Sequence, residues 1–337
     1  MPEIKVAVIG VGNVGSTFVQ GIDYYGGNNT VGLWHQKVAG LKPSDVKVVA
    51  AFDIDPAKVG RGLSEVANQG IKHHALKNSK VTVGPGILAD GNGKVASPAK
   101  TSASEFTKAL KESAAQVVLN LISSGMDRTS IEYAKAALAA RTSFVNATPS
   151  KVATNPTLAK KFGSSGLVIA GDDLLSQFGG TAFHKGMIDF MVERGVHVNK
   201  SYQLDVGGSA ETKNTMDERI RMLKRGMKTG SIGMEAPYKF ESVAGTTEYT
   251  DFLGDSRNSY YWMSSQGFLG SSIVMDLTLR TSDGANAGNV LLDVVRATAK
   301  KVKASKASEV LSAYGFKSPP KQSKIREAYA NFVSMYA

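Results

Sequence analysis

Lys224 and Lys228 stand four residues apart. On a helix that spacing puts both ammonium groups on one face. Neighbouring ammonium groups repel, and one of them then gives up its proton more easily. Such a pair suits phosphate binding combined with proton transfer, although a solvated charged face is the plainer use of the same spacing. Two adjacent acids, Asp172 and Asp173, follow Gly171 at the end of the apolar run Leu167–Ala170. At the C-terminal edge of a parallel sheet, such carboxylates can orient a nicotinamide ribose, a metal ion or a proton relay. The bland alternative is an N-cap for a helix starting at Leu174.

The third set is a glycine pattern, Gly10-Val11-Gly12-Asn13-Val14-Gly15, between the apolar run Ile4–Ile9 and a helical start at Ser16. Gly10 allows a tight turn after the strand, Gly12 lets backbone approach a pyrophosphate, and Gly15 lets the helix pack on the strand. The helix N-terminus adds amides and a positive dipole for the phosphates. Asp53 closes a second buried run, Val46–Phe52. A carboxylate there holds both ribose hydroxyls and repels a 2′-phosphate, which selects NAD over NADP. It lies farther along the chain than the usual spacing of about 20 residues, and the Gly/Asn-rich stretch 26–45 accounts for the excess. The alternative use of Asp53 is as a strand-end turn residue.

Other chemistries lack their residues. The five histidines, His35, His73, His74, His184 and His197, form no H-E-x-x-H or other metal-ligand spacing. No metal site is therefore expected from the sequence. The chain has no cysteine and no G-x-S-x-G elbow, which removes thiolate and serine-elbow nucleophiles.

These residues need elements to hold them. Strands are expected at Ile4–Ile9, Val46–Phe52, Val117–Ile122, Ser143–Asn146 and Leu167–Ala170, with helices near 56–68, 104–114 and 129–140. That alternation predicts an α/β fold, a Rossmann doubly wound parallel sheet. Residues 26–45 and 70–100 read as surface excursions. After about residue 196 the pattern changes. Ser201–Val206 reads as a strand, Glu211–Met227 as a charged helix, and 272–280 alternates with period two, as in a sheet with one polar face. Residues 285–303 read as helix. The expected organisation is an NAD-binding Rossmann domain, 1–196 plus 281–337, interrupted by an inserted α+β catalytic and tetramerisation domain, 197–280.

With 337 residues, two domains are the ordinary expectation. No apolar run reaches the roughly 20 residues that cross a bilayer. The N-terminal stretch leads into a strand and lacks the ordered features of a signal peptide, so the expected location is cytoplasmic, with no membrane partner. The net charge is +11, but the lysines are dispersed and accompany no nucleic-acid motif, so no nucleic-acid partner is expected. The cluster Lys300, Lys301, Lys303 and Lys306 fits a solvated helix face. An anionic, phosphorylated substrate is the remaining use for positive charge.

On its motifs the chain resembles the myo-inositol-1-phosphate synthase (inositol-3-phosphate synthase) family, in its short archaeal and actinobacterial form. The likeness runs over nearly the whole length. It rests on VAVIGVGNVGS (6–16), VKVVAAFDIDPAKVG (46–60), FVNATP (144–149), GDDLLSQFG (171–179), LDVGG (204–208), LKRGMKTGS (223–231), LGDSR (253–257), the Asp283–Asp293 stretch and FKSPPKQ (316–322). The resemblance implies redox-neutral cyclisation of glucose 6-phosphate with bound NAD. The steps are oxidation at C5, enolisation by loss of a C6 proton, aldol closure onto C1, and reduction. It implies catalytic roles for Lys224, Lys228, Lys317, Arg257, Asp173 and Asp283. Lys228 would hold phosphate, Lys224 would do acid–base work near C5, and Lys317 would stabilise oxygen charge. The implied cofactor contacts are Gly10, Gly12, Asn13, Val14, Gly15, Asp53, Ser123, Asp172 and Ser176. A divalent cation such as magnesium, a homotetramer, and a role in inositol and phospholipid biosynthesis are also implied.

Four positions depart from the family pattern. Arg257 replaces a lysine, Leu175 replaces the lysine of the GDD-x-K-S motif, and Asp205 and Ser209 stand where asparagine is common. Arginine keeps charge but does not readily act as a base, and an added carboxylate repels phosphate unless it is paired. The departures keep open an NAD-dependent oxidoreductase or isomerase acting on another sugar phosphate. A non-catalytic NAD-binding protein is the third reading, against which the retained lysines count.

Overall fold

The computed structural model describes residues 3–77, 79–91 and 95–337. The chain opens with β1 (Ile4–Ile9), whose side chains are almost all buried. It continues through α1 (Asn13–Tyr24), β2 (Val46–Asp53), α2 (Leu63–Gln69), β3 (Val83–Pro85), α3 (Ala103–Glu112), β4 (Val117–Asn120), α4 (Asp127–Ala139), β5 (Ser143–Asn146), α5 (Pro156–Ser164) and β6 (Ile169–Ala170). The six strands form one sheet in the order β3-β2-β1-β4-β5-β6, and their pairings are parallel. Runs such as VVLN in β4 and SFVN in β5 are buried at every position, as a sheet covered on both faces requires. The order turns back between β1 and β4. In an open α/β sheet a crevice forms at that reversal, beyond the carboxyl ends of the strands.

Next come α6 (Gly180–Glu193), β7 (His197–Gly207), α7 (Ala210–Asn214), α8 (Glu218–Gly233), β8 (Glu241–Tyr249), β9 (Ser256–Gln266) and β10 (Ser272–Ser282). These strands form a second sheet, β10-β9-β7-β8, with β7 parallel to β8 and antiparallel to β9. Its inner face buries Tyr261, Met263, Val198 and Ala244 against Ile188 and Met191 of α6 and Ile232 at the end of α8. Helix α6, which precedes residue 197, thus packs on the second sheet. The chain returns through α9 (Asp283–Ala297), α10 (Ala304–Gly315) and α11 (Ile325–Tyr336). Val290, Leu291, Val294 and Val295 of α9 join Phe18 of α1 in the main core. The opposite face of the first sheet carries a second cluster with Phe106, Tyr133, Phe144 and Phe162.

Several expectations are corrected. The helix read at 56–68 begins as a turn over 56–60 and is helical only from Leu63, because two glycines, Gly60 and Gly62, interrupt the period. The stretch 70–100 is not wholly an excursion, since β3 adds to the sheet through Ala51, Phe52 and Asp53. The helix read at Glu211–Met227 is two helices. It breaks at Thr215–Asp217, where the Asp217 side chain accepts from Ile220 N and caps α8, a role that aspartate fills well. The last strand runs directly into α9 at Asp283, so the helix begins earlier than 285.

Candidate active site

A cavity of about 370 Å3 lies between the carboxyl edge of the first sheet and the inner edge of the second. That volume falls within the range of small-molecule sites. Gly12, Asn13 and Val14 line it from the first turn of α1, and Leu121, Ile122, Ser123 and Ser124 from the loop after β4. Gly10 adopts φ +88°, and a Cβ there would lie 2.8 Å from the Leu121 carbonyl oxygen, so only glycine fits this turn. In front of Gly12, by contrast, no atom stands within 4 Å of an added Cβ. No side chain caps α1, and its first amides are left to a ligand in the cavity. Asp53 sits behind this turn. Its Oδ2 accepts from Val11 N at 2.9 Å and faces Lys58 Nζ at 3.3 Å, while Oδ1 accepts from Ile54 N and Asp55 N. It therefore braces the phosphate-loop turn and the strand-end turn together.

Asp173 lies in the cavity and Asp172 does not. Asp172 is fully buried, and its carboxylate accepts from Asn146 Nδ2, Val152 N, Ala153 N, Thr154 N and Thr154 Oγ1 at 2.8–3.1 Å. Its pKa is raised by burial. The Asp172 side chain, expected at the cofactor, therefore does not line the cavity. All of its acceptor capacity is used in tying loop 152–154 to the sheet edge. Lys317 comes to Asp173 by backbone pairing: Lys317 N donates to Asp173 O, and Ser318 N and Asp172 N exchange bonds across the same two segments. The side chains then meet, with Lys317 Nζ 2.9 Å from Asp173 Oδ1. Burial would raise the Asp173 pKa, but Lys317 and then Lys224 outweigh it and hold it below the ordinary range. Asp173 Oδ2 is buried and has no partner among the described residues.

Helix α8 delivers the lysine pair. Lys224 Nζ donates to Glu211 Oε1 at 2.5 Å, and Lys228 Nζ donates to Asp205 Oδ2 at 2.6 Å. Glu211 also accepts from Ser124 N at 3.1 Å and from the Ser124 hydroxyl, joining α7 to the loop after β4. The two lysines diverge electrostatically. Burial works against the charge of each, but Glu211 and Asp173 overcome it at Lys224 and raise its pKa. At Lys228 burial prevails over Asp205, with Arg257 and Lys317 adding to it, and the pKa falls. Arg257 on β9 places NH2 2.5 Å from Asp283 Oδ2 and NH1 3.5 Å from Asp205 Oδ2. Asp283 reaches the cavity because it is the residue at which the second sheet hands the chain back to α9.

The structure thus brings Lys224, Lys228, Lys317, Arg257, Asp173 and Asp283 together with Asn13, Val14, Ser123 and Ser176 in one cavity. Leu175, Asp205 and Ser209, three of the departures from the family pattern, line it as well. Three contributors escaped the sequence reading. Glu211 read as part of a charged helix face. Asp255 lies in the cavity on Ser282 Oγ, Gly284 N and Asn13 Nδ2, with its pKa raised by burial. The first turn of α6 lines the cavity through Gly179, Gly180, Thr181 and Ala182 and carries no side-chain cap, so its amides are also free for an anion. The Gly-Gly step before Thr181 was the available signal. Among the described residues, no group of three or more His, Cys, Asp or Glu is placed to hold a metal.

The sequence profile of myo-inositol-1-phosphate synthases matches residues 179–284, the stretch from the first turn of α6 to the start of α9. The chain is 35% identical over 341 residues to an inositol-3-phosphate synthase of Mycolicibacterium smegmatis, covering 95% of this chain and 94% of that one. It is 31% identical to the inositol-3-phosphate synthase of Corynebacterium glutamicum over 95% and 94% of the two chains. Among solved structures, a myo-inositol-1-phosphate synthase-related protein from Thermotoga maritima shares the fold at TM-score 0.80 and 21% identity, over 98% of this chain and 97% of that one. With 35% and 31% identity to those two synthases over nearly the full length of both partners, the chain belongs to the myo-inositol-1-phosphate synthase family of enzymes.

Proposed function

We propose that this cavity converts glucose 6-phosphate to myo-inositol 1-phosphate by the redox-neutral, NAD-dependent route. The observation that carries the reading is the convergence of Lys224, Lys228, Arg257 and Lys317 with an uncapped phosphate-loop helix in one cavity. The open space at Gly12 and the free first turn of α1 fit a dinucleotide pyrophosphate, with Asp53 behind them and Ser123 and Ser176 beside it. NAD, when bound, supplies the oxidation at C5 and the later reduction.

The chain's own groups handle charge and protons. Lys228 and the first-turn amides of α6 hold the substrate phosphate, which anchors one end of the sugar so that C1 can fold back on C6. Lys224, hydrogen-bonded to Glu211, passes a proton to that carboxylate, takes up the C5 hydroxyl proton during the oxidation and returns it in the final reduction. Lys317, fixed by Asp173, faces the oxygen charge that develops on enolisation and ring closure. Arg257 adds a permanent positive charge. Preorganised cations in a dry cavity stabilise such oxyanions more than water does.

The division of the chain follows from the two sheets. The first sheet with α9–α11 would serve as the NAD-binding part, and the second sheet with α6–α8 as the catalytic and assembly part. The outer face of the second sheet leaves Leu204, Val243, Tyr260 and Val274 between 36% and 55% exposed. We propose that this face joins subunits into a homotetramer.

A second reading, action on a different sugar phosphate, is favoured by Asp205 and Leu175, which lower the positive charge of the cavity relative to the family pattern. Phosphorus and proton NMR after incubation with glucose 6-phosphate and trace NAD separates the two. Inositol phosphate in large excess over NAD is expected. No product, with NAD binding verified by calorimetry, would sink the reading and direct attention to other sugar phosphates.

A further inference from the structure

Asp205 has no capacity left for a ligand. It is fully buried on β7. Its Oδ1 accepts from Gln203 Nε2 at 2.8 Å and from Ser259 Oγ at 2.6 Å. Its Oδ2 accepts from Lys228 at 2.6 Å and faces Arg257 NH1 at 3.5 Å. Whatever it does for the reaction it does through those neighbours. Arg257 is in turn held from two sides, by Asp205 on β7 and by Asp283 at the start of α9. A guanidinium spans two such carboxylates because its donors form a fixed fork; an ammonium is a single point charge and meets one of them. Arg257 Nε is buried and has no partner among the described residues, in a side chain that lines the cavity.

We infer that Asp205 and Arg257 form one coupled unit, in which Asp205 positions Arg257 and Lys228, and Arg257 acts on a substrate oxygen as a fixed positive charge and never as a proton carrier. Two of the departures from the family pattern are then one change. A carboxylate at 205 without the fork at 257 leaves negative charge in the phosphate region. The fork without the carboxylate leaves NH1 and Lys228 as neighbouring cations, buried and unneutralised. The inference rests on this cavity being the catalytic one.

The charge surroundings of Lys228 sharpen the expectation. It faces Asp205 from β7, Arg257 from β9, Asp283 beyond Arg257 from α9, Lys317 from the segment after α10, Asp173 from the segment after β6, Glu211 from α7, and Lys224 on its own helix. Asp205 is the only described carboxylate in contact with it. Replacing that carboxylate by an amide removes the contact that favours the charged lysine and leaves burial, Arg257 and Lys317, all of which disfavour it. The ammonium is then lost at lower pH than in the natural enzyme.

The test compares the natural enzyme with D205N, R257K and D205N/R257K. Three quantities are measured: turnover of glucose 6-phosphate with NAD, split into kcat and KM; NAD affinity as a control of folding; and the Kd of inorganic phosphate by calorimetry from pH 6 to pH 9. Each single variant should lose about tenfold or more in kcat/KM. The double variant should lose clearly less than the product of the two, because contacting groups are not additive. D205N should bind phosphate progressively more weakly than the natural enzyme as pH rises, and the double variant should show the same trend. Multiplicative losses, or a D205N enzyme whose phosphate affinity follows the natural pH course, would overturn the inference. If D205N does not fold, recovery of folding in the double variant supports the coupling and continued failure overturns it. Should the natural enzyme not turn over glucose 6-phosphate, the proposed substrate fails separately, and the phosphate titrations of the four proteins still decide the role of Asp205.

Discussion

At the scale of the residue, the site is a set of buried cations, each bound to its own carboxylate: Lys224 to Glu211, Lys228 to Asp205, Arg257 to Asp283 and Lys317 to Asp173. Without such partners, burial at this depth would drive the protons off the lysines and leave the guanidinium charged and unneutralised. Removing a lysine therefore costs stability as well as chemistry, because its carboxylate is left buried and unpaired. K224A and K317A are each expected to reduce kcat about 10²–10³-fold, the scale of losing one oxyanion-stabilising group, with NAD affinity within a few-fold of the natural enzyme by calorimetry. Turnover near the natural rate in either variant would remove that lysine from the mechanism. Asp172 is the contrasting case. Its carboxylate satisfies five donors behind the site. D172A would leave buried amides unpaired, at about 1–3 kcal/mol for an orphaned group. A loss of at least about 2 kcal/mol in urea unfolding is expected, and an unchanged midpoint would show that water replaces the carboxylate.

At the scale of the element, catalytic geometry depends on close approach between backbone and side chains of different sheets. The first turn of α6 meets β7 and β9 at Gly180, where a Cβ would lie 2.3 Å from Gln203 Nε2, 3.0 Å from Ser259 Oγ and 3.2 Å from Asp205 Oδ1. G180A should push α6 away from Asp205 and cost about 1–3 kcal/mol by overpacking, with KM for the sugar phosphate raised more than kcat is lowered. A variant with natural stability and KM would mean that this turn is not held where the phosphate is proposed to bind. The elements themselves were readable to different degrees. Strands β1 and β2 follow from runs of mainly apolar residues closed by Gly10 and Asp53. The glycine loop declared the first turn and its ligand class through spacing alone. Strands β8 and β9 were not recognised, because ESVAGTTEY and SRNSYYWMSSQ carry small and polar residues at positions that the mixed sheet nevertheless buries, among them Thr246, Ser259 and Ser265. Such positions are set by cross-strand partners, to which local periodicity is blind.

At the scale of the whole molecule, two sheets face one cavity, and the chain crosses between them at α6 and again at Asp283. The outer face of the second sheet carries Tyr202 stacked on Trp262 at 5.5 Å, beside Tyr260, Leu204 and Val274. The subunit contact proposed above uses this exposed apolar face. V274E is expected to lower the oligomeric mass seen by size exclusion with light scattering while leaving the far-ultraviolet circular dichroism unchanged. An unchanged mass would place the subunit contacts elsewhere.

What the sequence determined by itself is the chemistry available and the scaffold type. The phosphate loop, the acidic strand end at Asp53, the lysine spacing on one helix face and the absence of cysteine are local facts, and local spacing expresses them. What only the tertiary structure decided is which charges meet. Lys317 reaches Asp173 through backbone pairing across 144 residues. Arg257 bridges carboxylates on two elements, and Asp172 and Asp173, adjacent in sequence, point respectively into the protein and into the cavity. The two lie in a bend after β6 with Asp173 at φ +59°, and that local turn of the backbone sends the neighbouring side chains apart. The partner of a buried charge is set by which elements the packing of two cores brings together. That partner is not encoded within the span of residues over which a sequence pattern can be read.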